Sequence, residues 1–182
     1  MNYLSNARDM FLMAARNLEA VESARTDFLD GISKHFSGGR RTKLKPGFNA
    51  LAESFAICIT QTGAVLVGNS ETEPLIIEAE GCDWLTLEAD ISIAEDAELL
   101  VLETELFADF PQTVDVFLRV FDDDGQATDL KSEIWAIRAD GLSLHTMKVP
   151  SDAKEAARCR LVMHVRQPLR QIRICQLGVY VI

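Results

Sequence analysis

Paired cysteines, clustered histidines and tryptophan or tyrosine are scarce in this chain, and each scarcity removes a class of chemistry. Cys58, Cys82, Cys159 and Cys175 are the four cysteines of 182 residues, and no two form a C-x-x-C pair. A zinc site needs ligands at short spacing, and His35, His145 and His164 are too scattered to supply them. Three cysteines sit in apolar, strand-like contexts, "AICIT", "RCRLVMHV" and "IRICQLGV", where a free thiol behaves as a small buried hydrophobe. No metal held by Cys and His, and no cofactor, is expected. No apolar run approaches the roughly 20 residues of a membrane helix, so no membrane span is expected. The first twenty residues are interrupted by Arg8, Asp9 and Arg16 and lack the continuous apolar segment of a signal peptide, which makes a cytoplasmic protein the expectation.

Catalytic signatures are missing too. There is no G-x-S-x-G, no P-loop, no dinucleotide-binding glycine motif and no H-E-x-x-H. The pairs Glu78/Glu80 and Glu103/Glu105 place two carboxyl groups on one strand face, with Cα atoms about 7 Å apart, a spacing that could imitate a glycosidase dyad. Acids are plentiful throughout that region, and a solvated strand face accounts for them. The expectation is a non-enzymatic protein, with hydrolysis by these acids as the third of three functional readings.

Hydrophobic residues form 48% of the chain and charged residues 25%, enough for a buried core. Net charge is −10, unevenly placed: residues 48–133 carry twenty acids against Arg119 and Lys131, whereas 134–182 carry eight bases against three acids. Acidic and basic strands lying side by side would pair across a sheet. An acidic protein of this kind is not expected to bind nucleic acid.

The chain divides near residue 47. Before it, Leu4, Phe11, Leu18 and Ile32 recur on a seven-residue grid broken only at Arg25, beside a second grid through Ala7, Ala14, Val21 and Phe28. No proline interrupts 2–36, and "SGG" follows. This pattern predicts a long amphipathic helix over residues 1–36, about 45 Å in length, that either covers its own domain or pairs subunits into a homo-oligomer through residues 4–32. Residues 37–47, "SGGRRTKLKPG", read as a basic Gly/Pro hinge: a solvated linker or a holder of an acidic partner.

Residues 48–182 read as a β-domain. After "FNALAESFAICIT" the texture turns to period two: strands are predicted over 74–80, 84–93, 98–107, 113–121, 133–139, 144–150, 158–166 and 170–182. The fold class predicted is mainly β, an antiparallel jelly-roll β-sandwich with a long N-terminal α-helix. Alternation also marks a face. With Val114, Val116, Leu118 and Val120 inward, Asp115, Phe117, Arg119 and Phe121 point out; with Leu161, Met163 and Val165 inward, Arg160, Val162, His164 and Arg166 point out. Trp84 shares the polar parity of its strand. If these strands share one sheet, Trp84, Phe117, Arg119, His164 and Arg166 form a candidate ligand face: an aromatic plane for a sugar's C–H face, and guanidinium groups for hydroxyls or an acidic substituent. The competing reading puts the aromatics under the N-terminal helix and pairs Arg160, Arg166 and Arg173 with Glu88, Asp90 or Glu103.

The run "WAIRADGLSLHTMKVPSDAKEAARCRLVMHV", closed by "IRICQLGVYVI", resembles the second half of jelly-roll carbohydrate-binding and galactose-binding-like modules: a strand, a glycine turn, a strand ending in "VP", a short connection, an alternating strand and a terminal strand. The resemblance spans residues 74–182 and implies a non-catalytic module for a glycan or sugar-like ligand, accessory to bacterial polysaccharide metabolism. The chain departs from such modules in having only two Trp and two Tyr. The alternative is a structural or interaction protein working through its N-terminal helix and basic hinge.

"VFDDDGQATDL", residues 120–130, imitates a calcium loop. With Gly125 at position 6 of an EF-hand, Val120 takes position 1 and Lys131 position 12, both wrong for oxygen ligation. Asp-Gly after an alternating strand signals a hairpin turn, although Asp122, Asp124 and Asp129 leave a structural calcium as a second reading.

Overall fold

The computed structural model describes residues 8, 10–16, 19, 22, 24–36, 41–108, 111–138, 140–166 and 170–182. Alternating apolar residues become strands close to where period two predicts them: β6 (Leu75–Glu80), β7 (Trp84–Ile91), β8 (Leu99–Ala108), β9 (Gln112–Phe121), β11 (Glu133–Ile137), β13 (Arg158–Arg166) and β14 (Gln171–Val181), whereas β12 (Asp140–Lys148) starts four residues before the predicted 144–150. Six further strands carry no clean alternation in sequence: β1 (Arg25–Asp27), β2 (Thr42–Lys43), β3 (Gly47–Ala50), β4 (Phe55–Ile59), β5 (Ala64–Gly68) and β10 (Ala127–Asp129).

The strands form two seven-stranded antiparallel sheets. Sheet I runs β12-β8-β14-β6-β5-β2, with β1 added to β14; sheet II runs β10-β9-β13-β7-β4-β3, with β11 added to β9. Apolar side chains of both inner faces make one core, including Val65, Ile77, Leu85, Leu100, Leu102, Val116, Leu118 and Leu161. On β14 the register against β8 shifts between Ile174 and Gln176. The extra residue resets the parity, so that Ile172, Ile174, Leu177 and Val179 are all buried.

The N-terminal expectation is corrected. Among the described residues helical backbone occurs at 8, 10–16 (α1), 19 and 22, and it does not continue as a single helix to residue 36. Arg25–Asp27 is strand β1, and Ile32–His35 is a helix of only four residues (α2), entered through Gly31 at φ 85°. Tertiary pairing overrides helical spacing here. Phe28 N–H donates to Leu177 O at 2.9 Å, and the Arg25 guanidinium is held by Glu103 at 2.7 Å and Asp27 at 2.8 Å. Gly178 leaves room for that guanidinium: a Cβ there would lie 2.9 Å from Arg25 Cζ. Phe28, Ile32 and Phe36 are buried in the sandwich core, with Phe28 stacked on Phe55 at 6.5 Å. Phe28 and Ile32, the last residues of the two seven-residue grids, therefore serve the sandwich core, not a partner helix. Met10, Phe11 and Met13 are exposed; Leu4, Ala7, Leu18 and Val21 of the stripe lie outside the described residues. No helix among the described residues is long and apolar enough to cross a membrane.

The basic stretch before residue 48 runs from one sheet to the other. Arg41 pairs with Glu78, Leu44 is buried with its N–H on Val65 O, and Asn49 closes the turn into β3 by donating to Lys45 O at 2.8 Å. Arg40 lies outside the described residues.

One end of the core carries an unpaired polar atom. Trp135 stacks on His145 at 4.9 Å with the planes 12° apart, and buried His145 Nε2 has no hydrogen-bond partner. Burial holds the His145 pKa below the usual imidazole value. Between that depressed value and the ordinary value of about 6.5, the unfolded chain binds the proton and the folded chain does not. This contribution to stability is complete above about pH 6.5 and is lost as the pH falls toward the depressed value. Urea denaturation at pH 7.5 and pH 5 should show a lower midpoint at pH 5. His145→Phe, which keeps the stack and removes the nitrogen, should narrow that difference; an unchanged difference would assign the pH dependence to other groups.

Candidate functional site

The outer face of sheet II is built by three long strands in one register. β13 lies between β7 and β9, and each has an apolar inner row that turns the alternate residues outward. Arg166 stands opposite Trp84; His164 opposite Thr86 and Asp115; Val162 opposite Glu88 and Phe117; Arg160 opposite Asp90 and Arg119; Arg158 opposite Phe121. The structure thus brings Trp84, Phe117, Arg119, His164 and Arg166 onto a single face of neighbouring strands. Trp84 meets His164 edge to face at 5.7 Å, and the Arg119 guanidinium lies 5.8 Å from the Phe117 ring centre.

Carboxylates hold the cations of this face. Arg166 Nε donates to Asp115 at 2.7 Å, with His164 Nδ1 3.6 Å from the same oxygen. Burial, aided by the charge of Arg166, lowers the His164 pKa against the pull of Asp115, which keeps the ring uncharged near pH 7. Arg119 binds Asp129 through Nε at 2.5 Å and Nη2 at 2.9 Å. Arg160 donates through Nε to Asp90 at 2.7 Å and through Nη1 to Glu88 at 2.9 Å. Glu88 is 4% exposed; it also accepts from the Thr86 hydroxyl at 2.8 Å and lies 3.8 Å from Arg119. The expected pairing of Arg160 with Glu88 and Asp90 is present. Arg173 instead pairs with Glu73, and Glu103 with Arg25.

Sequence reasoning missed the hollow on this face. A cleft of about 180 Å³ is walled by Phe48, Ala50 and Ala56 on one side and by Glu88, Asp90 and Arg160 on the other. It meets a wider trough of about 540 Å³ that shares Glu53, Ser54 and Asp90 and continues to Arg158 and Cys159. None of the five expected residues lines either hollow. Arginines and rings alternate along the rim: Arg160 lies 5.0 Å from the Phe48 ring centre and 5.6 Å from that of Phe121, and Arg158 lies 3.9 Å from Phe121. Phe48 is 55% exposed. Its strand is one half of a hairpin that pairs Phe48 with Cys58, and the four residues of "GFNA" were too few to announce it by alternation.

The remaining candidates are engaged elsewhere. Glu103 and Glu78 face outward from sheet I, Glu103 on Arg25 and Tyr180 and Glu78 on Arg41 and Gln171. In the 122–126 turn Asp122 Oδ1 accepts from Gln126 N–H at 2.8 Å, Gly125 takes φ 77°, and Asp129 is occupied by Arg119. No group of three or more potential metal ligands occurs among the described residues. All four cysteines are free, and burial raises the Cys159 thiol to about 11.

No protein-family model matches this chain, and no curated protein matches it in sequence. Solved structures share its fold. A CBM4 carbohydrate-binding module superposes with a TM-score of 0.55 at 14% identity, covering 82% of this chain and 98% of that one. The xylan-binding module CBM15 gives 0.45 at 14% identity, covering 79% and 97%. The enzymatically active domain of bacteriophage CBA120 tailspike protein 4 gives 0.41 at 15% identity; the match covers 80% of this chain but only 20% of that one. This chain has a two-sheet β-sandwich fold similar to that of the CBM4 module.

Proposed function

We propose that this protein is a non-catalytic glycan-binding module on a jelly-roll β-sandwich, accessory to polysaccharide metabolism, and that the outer face of sheet II is its binding face. The observation that carries the reading is the cleft beside Phe48 and Arg160, on a face that also presents Trp84 and Phe117. Aromatic rings offer planes for the C–H faces of sugar rings, and paired Arg and carboxylate groups offer donors and acceptors for hydroxyls. The fold shared with the CBM4 module is consistent with this reading.

The charge balance narrows the ligand. Arg119, Arg158, Arg160 and Arg166 are set against Glu88, Asp90, Asp115 and Asp129, four cations and four anions on one face and its rim. A uronic-acid chain would have to displace a carboxylate already bound to Arg119, Arg160 or Arg166, and at Arg160 this would leave Glu88, 4% exposed, without its close partner; Arg158, over the Phe121 ring, is the one arginine of the four without such a carboxylate among the described residues. A neutral polysaccharide keeps the pairs intact. Calorimetric titration with neutral and polyuronate oligosaccharides should therefore give binding to a neutral chain only. Phe48→Ala and Phe117→Ala should each raise the dissociation constant about tenfold, the scale of losing one stacked or well-packed ring. Absence of binding across the panel, or binding indifferent to both variants, would sink the reading.

A further inference from the structure

We propose that two copies of this chain pair along β12, joining their sheets I into one continuous sheet about a two-fold axis. Strand edges present unpaired N–H and C=O groups and are usually shortened, bulged or charged against such pairing. Most edges here are short: β2 has two residues, β10 three, β3 four and β11 five. β12 has nine residues, ends sheet I, and pairs only with β8 in unbroken register from Asp140 to Lys148. It contains no proline, and its charges stand only at its two ends. Outward from sheet I it presents Leu142, 51% exposed, and Leu144, 61% exposed, two leucines that stand opposite Glu105 and Glu103 of β8 on a face that also carries Val101, Thr146 and Lys148.

The occupant is a second copy because the strand is complementary to itself. In an antiparallel pair with Leu144 opposite its counterpart, Leu142 meets Thr146 and Asp140 meets Lys148, each twice by symmetry. Both ends then carry opposite charges across the strands, and the leucines gather at the centre, an arrangement of cross-strand pairs that favours association. A two-residue slip toward the start of β12 would set Lys148 against Arg138 of the other copy and lose the charge match. The pairing residues lie on sheet I, away from the glycan face, so this inference does not rest on the proposed ligand.

Sedimentation equilibrium of the full chain tests it. Wild-type protein should dimerise, and Leu144→Lys, which sets two charges face to face at the axis, should be monomeric. Asp140→Lys and Lys148→Asp should each weaken the dimer about tenfold by creating two like-charge pairs, and the double reversal should restore it. Matching circular dichroism and melting curves would show that each variant folds. A wild-type monomer, a dimer indifferent to Leu144→Lys, or singles whose losses persist in the double reversal would each overturn the pairing.

Discussion

Arg160→Ala should lower the stability of this protein by about 3–5 kcal/mol, the range for removing one partner of a buried ion pair. The Arg160 side chain is 12% exposed and that of Glu88 4%. Arg160 provides the short contact to Glu88 at 2.9 Å, whereas Arg119 stands 3.8 Å away. Without Arg160, Glu88 keeps only the Thr86 hydroxyl and the distant Arg119, and Asp90 loses its 2.7 Å partner as well. The effect comes less from lost attraction than from a carboxylate left in a dry place. A double-mutant cycle separates the two. Arg160→Met with Glu88→Leu replaces the pair by apolar groups of similar size and should be clearly more stable than the sum of the single variants. Urea midpoints measured at constant m-value decide it; additive single losses would mean that the two side chains do not act as a pair. The same change opens the cleft wall and exposes the Phe48 ring edge, so its effect on glycan affinity is interpretable only on protein shown to be folded.

The strands of sheet II were legible because one of their faces is buried and the other polar. Val114, Val116 and Leu118 of β9 and Leu161 and Met163 of β13 fixed which side chains turn outward, but parity placed Trp84, Phe117, Arg119, His164 and Arg166 on a common face only on the condition that their strands share a sheet, which the order β7-β13-β9 supplies. What parity cannot supply is register. That Arg160 reaches Glu88, 72 positions away, and Arg166 reaches Asp115, 51 positions away, depends on how three strands align, and the trough depends on two more. β4 and β5 were obscured because "FAICI" and "AVLVG" are apolar on both faces, which erases alternation. The helix over 1–36 failed for a different reason. Apolar residues seven apart can meet a neighbouring helix or the inner face of a sheet, and spacing alone does not say which; the break in the grid at Arg25 was the start of β1.

Phe28 separates these two accounts of the N-terminal segment. If Phe28 belonged to an exposed helical stripe, Phe28→Ala would weaken self-association and leave the monomer's stability almost untouched. In the structure it is 1% exposed, stacked on Phe55, and anchored by its own N–H on β14. Truncating a buried phenylalanine leaves a cavity between the sheets, and the loss should be about 3–5 kcal/mol. For a domain of this size that corresponds to a fall in melting temperature of roughly 10 °C. Phe11→Ala, at a residue 78% exposed, should stay within about 0.5 kcal/mol of wild type. Melting curves recorded at two protein concentrations check both variants: the Phe28→Ala shift should be the same at each, because the lost contact is within one chain. Removing residues 1–36 altogether would take away Phe28, Leu29, Ile32 and Phe36 with Arg25, the partner of Glu103, and the remaining sandwich should then fail to fold rather than persist as a stable monomer.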